Sequence, residues 1–282
     1  MKTSLPKILI SCVGENTDKF NFRVLTLFKT LKKYGGKLAE AKSVANFVQS
    51  VDPHVEKELQ NIGVKVNIVE PFIQGYPYAN KLRMLEMKEE YDVLLALDCD
   101  LVVAKDFSSE ISSNFIQACT PYMDPLTIEE WENLFSHFNL KLPSERYELL
   151  GPNRETISYF NSGVVAIPKI YNDKLLTSWE KYIHALLKLD SLSKVRTFTD
   201  QIALSLALAD EGIPNKTFPI EMNFPIHNRI QSKFNPDKID PYIIHYHNRV
   251  TKKNLIKKSG NKKTDKHIKK INSYINNGES KD

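Results

Sequence analysis

The chain has 282 residues, of which 41% are hydrophobic and 26% charged. That is the balance of a soluble globular protein built as one large domain or two small ones. No apolar run approaches the ~20 residues of a membrane helix, and the three scattered cysteines, Cys12, Cys99 and Cys119, support neither a disulfide framework nor a zinc site. The net charge of +5 is uneven: residues 249–282 hold eleven Lys and Arg against Asp265, Glu279 and Asp282, a net +8, which leaves about −3 on residues 1–248.

The opening MKTSLPKILISCVG lacks the longer apolar core and the cleavage site of a signal peptide, so a cytoplasmic protein is expected. Residues 8–13 read as a first strand. Phe20, Val24, Leu27, Phe28 and Leu31 recur at helical spacing over 20–34, and Gly35-Gly36 ends that helix. Residues 43–48 read as a strand. Asp52-Pro53 then gives an N-cap followed by proline at the first helical position, with Gly63 closing the helix. Residues 64–69 form the third strand, and a helix over 78–90 leads to the fourth. Alternating strand and helix predicts an α/β fold: a single Rossmann-like domain over 1–248, with a mostly parallel central sheet and helices on both faces.

The fourth strand carries the most informative residues. In YDVLLALDCDLVV, the run from Val93 to Leu97 is short and wholly apolar, as in a strand buried on both faces. It stops at Asp98-Cys99-Asp100, and Leu101-Val102-Val103 follows at once. Two carboxylates at a buried strand end are costly unless cations or donors compensate them. Residues two apart on an extended chain point the same way, so Asp98 and Asp100 can address one ion. Hard oxygen ligands select Mg(II) or Mn(II), which hold phosphates. Cys99 points the other way and is expected to pack. The alternative is that the two Asp merely end the strand in a turn.

Residues 119–158 read as an insert with one helix near 128–138, opened by the capping box Thr127-x-x-Glu130. A strand over 158–168 begins with Asn161-Ser162-Gly163. Helices over 175–189 and 200–209 follow, Thr199 being the expected N-cap of the second. Short strands fall at 217–220 and 242–246. The basic tail, 249–282, reads as mostly disordered or loosely helical. Ile268, Ile271 and Ile275 lie on one helical face among lysines, a pattern suited to an anionic membrane surface. Nucleic acid is not expected, because Tyr274 is the tail's one aromatic residue.

LDCDLVV, YFNSGVVAIP, FTDQIALSLAL and IIHYHN, in that order, resemble the GT-A glycosyltransferases, in particular the glycogenin-like family eight and related uncharacterised bacterial nucleotide-sugar transferases. The resemblance covers roughly residues 5–250. It implies a metal-dependent transferase moving a sugar from a nucleotide-sugar donor, a UDP-sugar, to a glycan, lipid or protein acceptor met by the 119–158 insert. Asp98 and Asp100 would hold Mn(II) or Mg(II), with Asp98 also near the ribose. His245 would be the third ligand, and His247, two residues on, is the alternative. The family's H-x-x-G-x-x-K-P-W is missing; Lys252 or Lys253 would stand in for its phosphate-binding lysine. Cys12, Val13 and Gly14 would receive the nucleotide base. Lys81 would meet the diphosphate or sugar, unless it belongs to a solvated helix face. Asn161, Ser162 and Gly163 would contact the donor sugar, where the plain alternative is a bulge. Asp200 and Gln201 would act at the sugar ring: Asp200 as general base if the reaction inverts, either residue orienting the donor if it retains. Two other classes fit a D-x-D after an apolar strand: a haloacid dehalogenase-like phosphatase with Asp98 as nucleophile, and a non-catalytic nucleotide-sugar binding protein.

Overall fold

The computed structural model describes residues 6–277. The strands are β1 (Ile8–Glu15), β2 (Lys42–Val48), β3 (Val64–Val69), β4 (Val93–Leu97), β5 (Leu101–Val103), β6 (Ile116–Cys119), β7 (Tyr147–Glu148), β8 (Glu155–Thr156), β9 (Asn161–Pro168), β10 (Asn215–Phe218), β11 (Phe224–Pro225) and β12 (Ile243–His245). The helices are α1 (Asp18–Tyr34), α2 (Pro53–Asn61), α3 (Ile128–His137), α4 (Lys169–Leu186), α5 (Thr199–Asp210) and α6 (Lys262–Asn277).

The central sheet has seven strands in the order β10-β6-β9-β4-β1-β2-β3. All neighbours are parallel except β9, which runs antiparallel to both β4 and β6. The mostly parallel α/β sheet expected from the sequence is therefore present. Its apolar runs divide by alternation, as a sheet buried on both faces requires. Ile8, Ile10, Val93, Leu95 and Leu97 join the core under α1 and α2. Leu9, Leu94 and Ala96 join the opposite core with Trp131, Trp179 and α5.

A small second sheet, β11-β12-β5, lies beyond the end of β4. β12 runs antiparallel to β5, which brings His245 opposite Leu101, next to the Asp98-Cys99-Asp100 turn. A two-residue ladder, β7 with β8, pins the 119–158 insert.

Several local expectations need correction. The segment expected as a helix over 78–90 is a 3-10 turn, Pro77–Met84. The Asn80 side chain accepts from the Phe72 amide, and the Arg83 side chain donates to the Glu70 carbonyl. These bonds fasten the turn to the preceding loop and stop it from continuing as an α-helix. Thr199 is not an N-cap: a 3-10 run over Asp190–Phe198 feeds directly into α5, and Thr199 has helical angles.

The largest correction is the tail. Residues 262–277 form α6, with Ile268 and Ile271 buried against Ile244, Ile256 and Tyr246 and with Ile275 packed beside them. Lys270 stacks on the Tyr34 ring at 4.5 Å, and Tyr34 meets Tyr274 edge-on at 5.9 Å. The apolar face expected to meet a membrane is covered by the protein's own core. Among the described residues no helix is long and apolar enough to cross a membrane.

Candidate active site

A cavity of about 810 Å³ opens at the carboxyl ends of β1, β2 and β4, with Asp98, Cys99 and Asp100 in its wall. Ligands in open α/β sheets bind at such strand ends. Val13, Gly14 and Glu15 line it from β1, Lys81 from the 3-10 turn, Arg23 from α1, and His227, His247 and Arg249 from the far side. Cys12 is the exception among the expected base-binding residues: its side chain is buried in the core under α1, away from the cavity.

The two carboxylates have opposite surroundings. Asp98 Oδ1 lies 3.4 Å from the Lys81 ammonium, which also pairs with Asp200 Oδ2 at 2.9 Å. Lys81 Nζ donates to Ser162 Oγ at 2.7 Å, and Ser162 Oγ donates onward to Asp200 Oδ2 at 2.9 Å. Burial works against the ammonium, but Asp200 and Asp98 outweigh it and raise its pKa. Burial also pushes the Asp98 carboxyl up, against the pull of Lys81. Asp200 is buried behind Lys81 at the start of α5 and is not part of the cavity wall. Gln201 follows it, partly exposed. Lys81 is thus a buried ion-pair residue and not a solvated one.

Asp100 faces imidazoles. His245 Nε2 lies 3.1 Å from Asp100 Oδ1 and His247 Nδ1 3.7 Å from Oδ2. Atoms of Asp100, His245 and His247 that could ligate a metal all fall within 4.8 Å of one another. Asp98 stands outside that group. Both histidines considered from the sequence reach the cluster, because His247 takes a left-handed conformation (φ 50°) that folds its ring back onto His245. Such a backbone state in a non-glycine residue is uncommon and is held by its surroundings. Here Arg23 Nη2 donates to the His247 carbonyl at 2.6 Å and to Asn248 Oδ1 at 2.8 Å. Burial opposes ionisation of Asp100, yet His245, His247 and Arg23 together hold its carboxyl well below the usual range.

A chain of hydrogen bonds fixes the His245 tautomer. Asn161 Oδ1 accepts from the Gly163 amide at 2.9 Å and from Asn223 Nδ2 at 2.8 Å. Asn223 therefore turns its Oδ1 to His245 Nδ1, 2.8 Å away, and Nδ1 is the donor. Nε2 is left facing a carboxylate oxygen. Two acceptors at that distance need a cation between them, either a proton or a metal ion. The donor set thus fits a divalent metal. Gly163 is required by close approach: a Cβ there would stand 2.8 Å from Asn161 Oδ1 and 3.1 Å from both Asp98 Oδ2 and His245 Cε1.

Sequence reasoning missed three residues. Arg23 carried a signal, being a cation three residues after Phe20 on the apolar stripe of α1. Asn223 and His227 carried none, since each lies in an irregular segment placed by tertiary contacts. His227 stacks on His247 with ring centres 3.8 Å apart, and its pKa is pushed down to about 3 by burial and then by His247 and His245.

A seven-stranded, mostly parallel sheet with a reversed strand and a carboxylate–histidine cluster at its switch point defines a GT-A glycosyltransferase. Residues 12–212 match the model of the Rhodobacterales glycosyltransferase domain, and the chain belongs to that family. No curated protein matches in sequence. Among solved structures, the galactosyltransferase LgtC, in complex with donor and acceptor sugar analogues, is 14% identical with a TM-score of 0.51 over 94% of this chain and 95% of its own. The bifunctional glycosyltransferase WbbM is 14% identical with a TM-score of 0.55 over 88% of this chain and 47% of its own. GlyE of Streptococcus pneumoniae is 17% identical with a TM-score of 0.52 over 88% and 55%. The chain thus spans about half the length of WbbM and of GlyE, and these likenesses carry the fold.

Proposed function

We propose that this glycosyltransferase takes its sugar from a nucleoside diphosphate sugar, a UDP-sugar, in a reaction that depends on a divalent metal at Asp100, His245 and His247, with Asp98 adjoining. The carrying observation is that possible ligand atoms of Asp100, His245 and His247 lie within 4.8 Å of one another beside a large cavity. A mixed oxygen and nitrogen donor set suits Mn(II) better than Mg(II), which prefers oxygen alone. When bound, the metal supplies Lewis-acid neutralisation of the leaving diphosphate.

The chain's own residues supply binding and orientation. Val13, Gly14 and Glu15 at the end of β1 form the base side of the cavity. Lys81, held rigid by Asp98, Ser162 and Asp200, presents a fixed positive charge to the donor. Asp200 acts through Lys81 in this arrangement, since its carboxylate is buried and already paired. In the transfer, the bond from the anomeric carbon to the diphosphate oxygen breaks. A new bond forms to an acceptor hydroxyl oxygen, whose proton is released. Asn223, hydrogen-bonded to His245, is also in the wall of a second cavity of about 360 Å³ lined by Tyr147, Leu150, Phe218 and Phe234, the first two from the insert. We assign the acceptor to it.

Calorimetric titration with UDP in the presence and absence of Mn(II) tests the reading. Asp100→Ala is expected to abolish the metal-dependent part of the affinity, about 100-fold or more, while the fold stays intact. Unchanged affinity in that variant would sink the metal assignment.

A further inference from the structure

Four cationic side chains line the donor cavity: Lys19, Arg23, Lys81 and Arg249. Lys19 is exposed at the rim. Arg23 is engaged with Asp100, the His247 carbonyl and Asn248, and Lys81 with Asp98, Asp200 and Ser162. Arg249 differs. Among the described residues no carboxylate pairs with it, and its Nε is buried without a hydrogen-bond partner. Its neighbour His227 also has a buried Nδ1 without a partner. Both residues line the cavity that also carries His247 and Asp100. Buried donors in folded proteins are satisfied with few exceptions, and an exception at a cavity points to a ligand.

Arg249 is also held with unusual care for a residue without an ion partner. Its amide donates to the Tyr246 carbonyl at 2.8 Å, its carbonyl accepts from the Lys257 amide at 2.8 Å, and its Nη2 donates to the Lys258 carbonyl at 2.9 Å. Val250 bridges to Ile256, and the Asn272 side chain on α6 clamps Ile256 at both amide (2.9 Å) and carbonyl (2.8 Å). Lys252 and Lys253, the lysines expected to meet phosphate, are exposed and outside the cavity. The basic tail thus forms a hairpin, 249–258, braced by α6.

We propose that Arg249 binds the diphosphate of the donor directly, and that the hairpin and α6 serve to hold its guanidinium in the cavity. This rests on the nucleotide-sugar reading of the cavity. A guanidinium is permanently charged, and its fork of N–H donors matches phosphate oxygens.

The test uses the full-length chain. UDP, CDP, GDP and ADP are titrated with Mn(II), and the tightest binder and its parent nucleoside are then measured against variants of unchanged melting temperature. Arg249→Ala is expected to weaken the diphosphate about 10-fold or more and leave the nucleoside unaffected. Arg249→Lys should recover part of the loss, and the Lys252→Ala/Lys253→Ala pair should bind as the wild type does. Asn272→Ala should weaken the diphosphate several-fold through the hairpin. Wild-type affinity in Arg249→Ala, or equal loss of nucleoside and diphosphate, overturns the phosphate contact. Wild-type affinity in Asn272→Ala overturns the role given to the tail. Absence of diphosphate binding by the wild-type protein is the distinct outcome that removes the nucleotide-sugar reading itself.

Discussion

Asp98 and Asp100 are two residues apart, yet they belong to different kinds of site. Asp98 shares one cation: Lys81 lies between it and Asp200, with Ser162 completing the set. Asp100 has no lysine; the Arg23 guanidinium stands 3.6 Å from one oxygen and His245 Nε2 3.1 Å from the other. The first arrangement is an ion-pair set tied by hydrogen bonds within the protein. The second brings possible ligand atoms of Asp100, His245 and His247 within 4.8 Å of one another, close enough to address one ion. A D-x-D turn at a strand end thus does two jobs, one structural and one receptive, and the partners decide which carboxylate does which.

The largest expected effect comes from removing the cation that Asp98 and Asp200 share. Lys81→Ala leaves Asp200 buried and uncompensated, and Asp98, 28% exposed, without its cation, a loss of about 3 kcal/mol. Thermal unfolding should show a fall of roughly 10 °C. Adding Asp200→Asn removes one of the stranded charges and should restore part of the loss. A Lys81→Ala protein that melts with the wild type would mean that water reaches these carboxylates freely, and the contrast with Asp100 would dissolve.

A smaller effect is expected on the receptive side. Asn223 touches no cavity atom directly in the metal cluster's place; it fixes which nitrogen of His245 is bare. Removing such an orienting partner costs 10–100-fold in metal affinity in comparable sites. Asn223→Ala should therefore weaken Mn(II), measured by electron paramagnetic resonance titration, by about that factor. Asn223→Asp keeps an acceptor at Nδ1 and should retain most of the affinity. Equal Mn(II) binding by wild type and Asn223→Ala would show that the tautomer is set some other way.

The same contrast explains what was legible in the sequence. β3 falls over residues 64–69 as expected, and α2 carries the Asp52 cap, because capping chemistry and apolar runs are local. The capping box of α3 closes through Thr127 and Glu130 for the same reason. The 3-10 turn at Pro77–Met84 was hidden, since its departure from an α-helix depends on bonds to residues 70–72. α6 was misread because its isoleucines have no visible partner in the linear chain; the partners come from β12 and the hairpin. Asp98, Lys81, Asp100 and His245 could be singled out singly from motifs. The division of labour between the two Asp could not, because it rests on Ser162, Asn223 and Arg23, which arrive from three distant segments.

The smallest effect separates burial from pairing. Asp240 has a pattern like that of Asp98, with Lys105 on Oδ2 at 2.7 Å and His267 of α6 on Oδ1 at 2.7 Å. It differs in being 43% exposed. Burial is the largest single influence and opposes its ionisation, but Lys105 and His267 together prevail and lower its pKa. A carboxylate with a depressed folded-state pKa stabilises the fold above its unfolded value of about 3.9, and that contribution disappears as pH falls through the folded value. Solvent screening limits such a pair to about 0.2–1 kcal/mol. Asp240→Asn should therefore lower the melting temperature by a few degrees at most at pH 7 and by less at a pH below the ordinary carboxyl value, as the wild-type carboxyl takes up its proton. If the depression is the same at both pH values, the loss comes from packing of α6 and not from charge. If it rivals that of Lys81→Ala, then partner number rather than burial governs these sites, and the difference drawn between Asp98 and an ordinary surface pair fails.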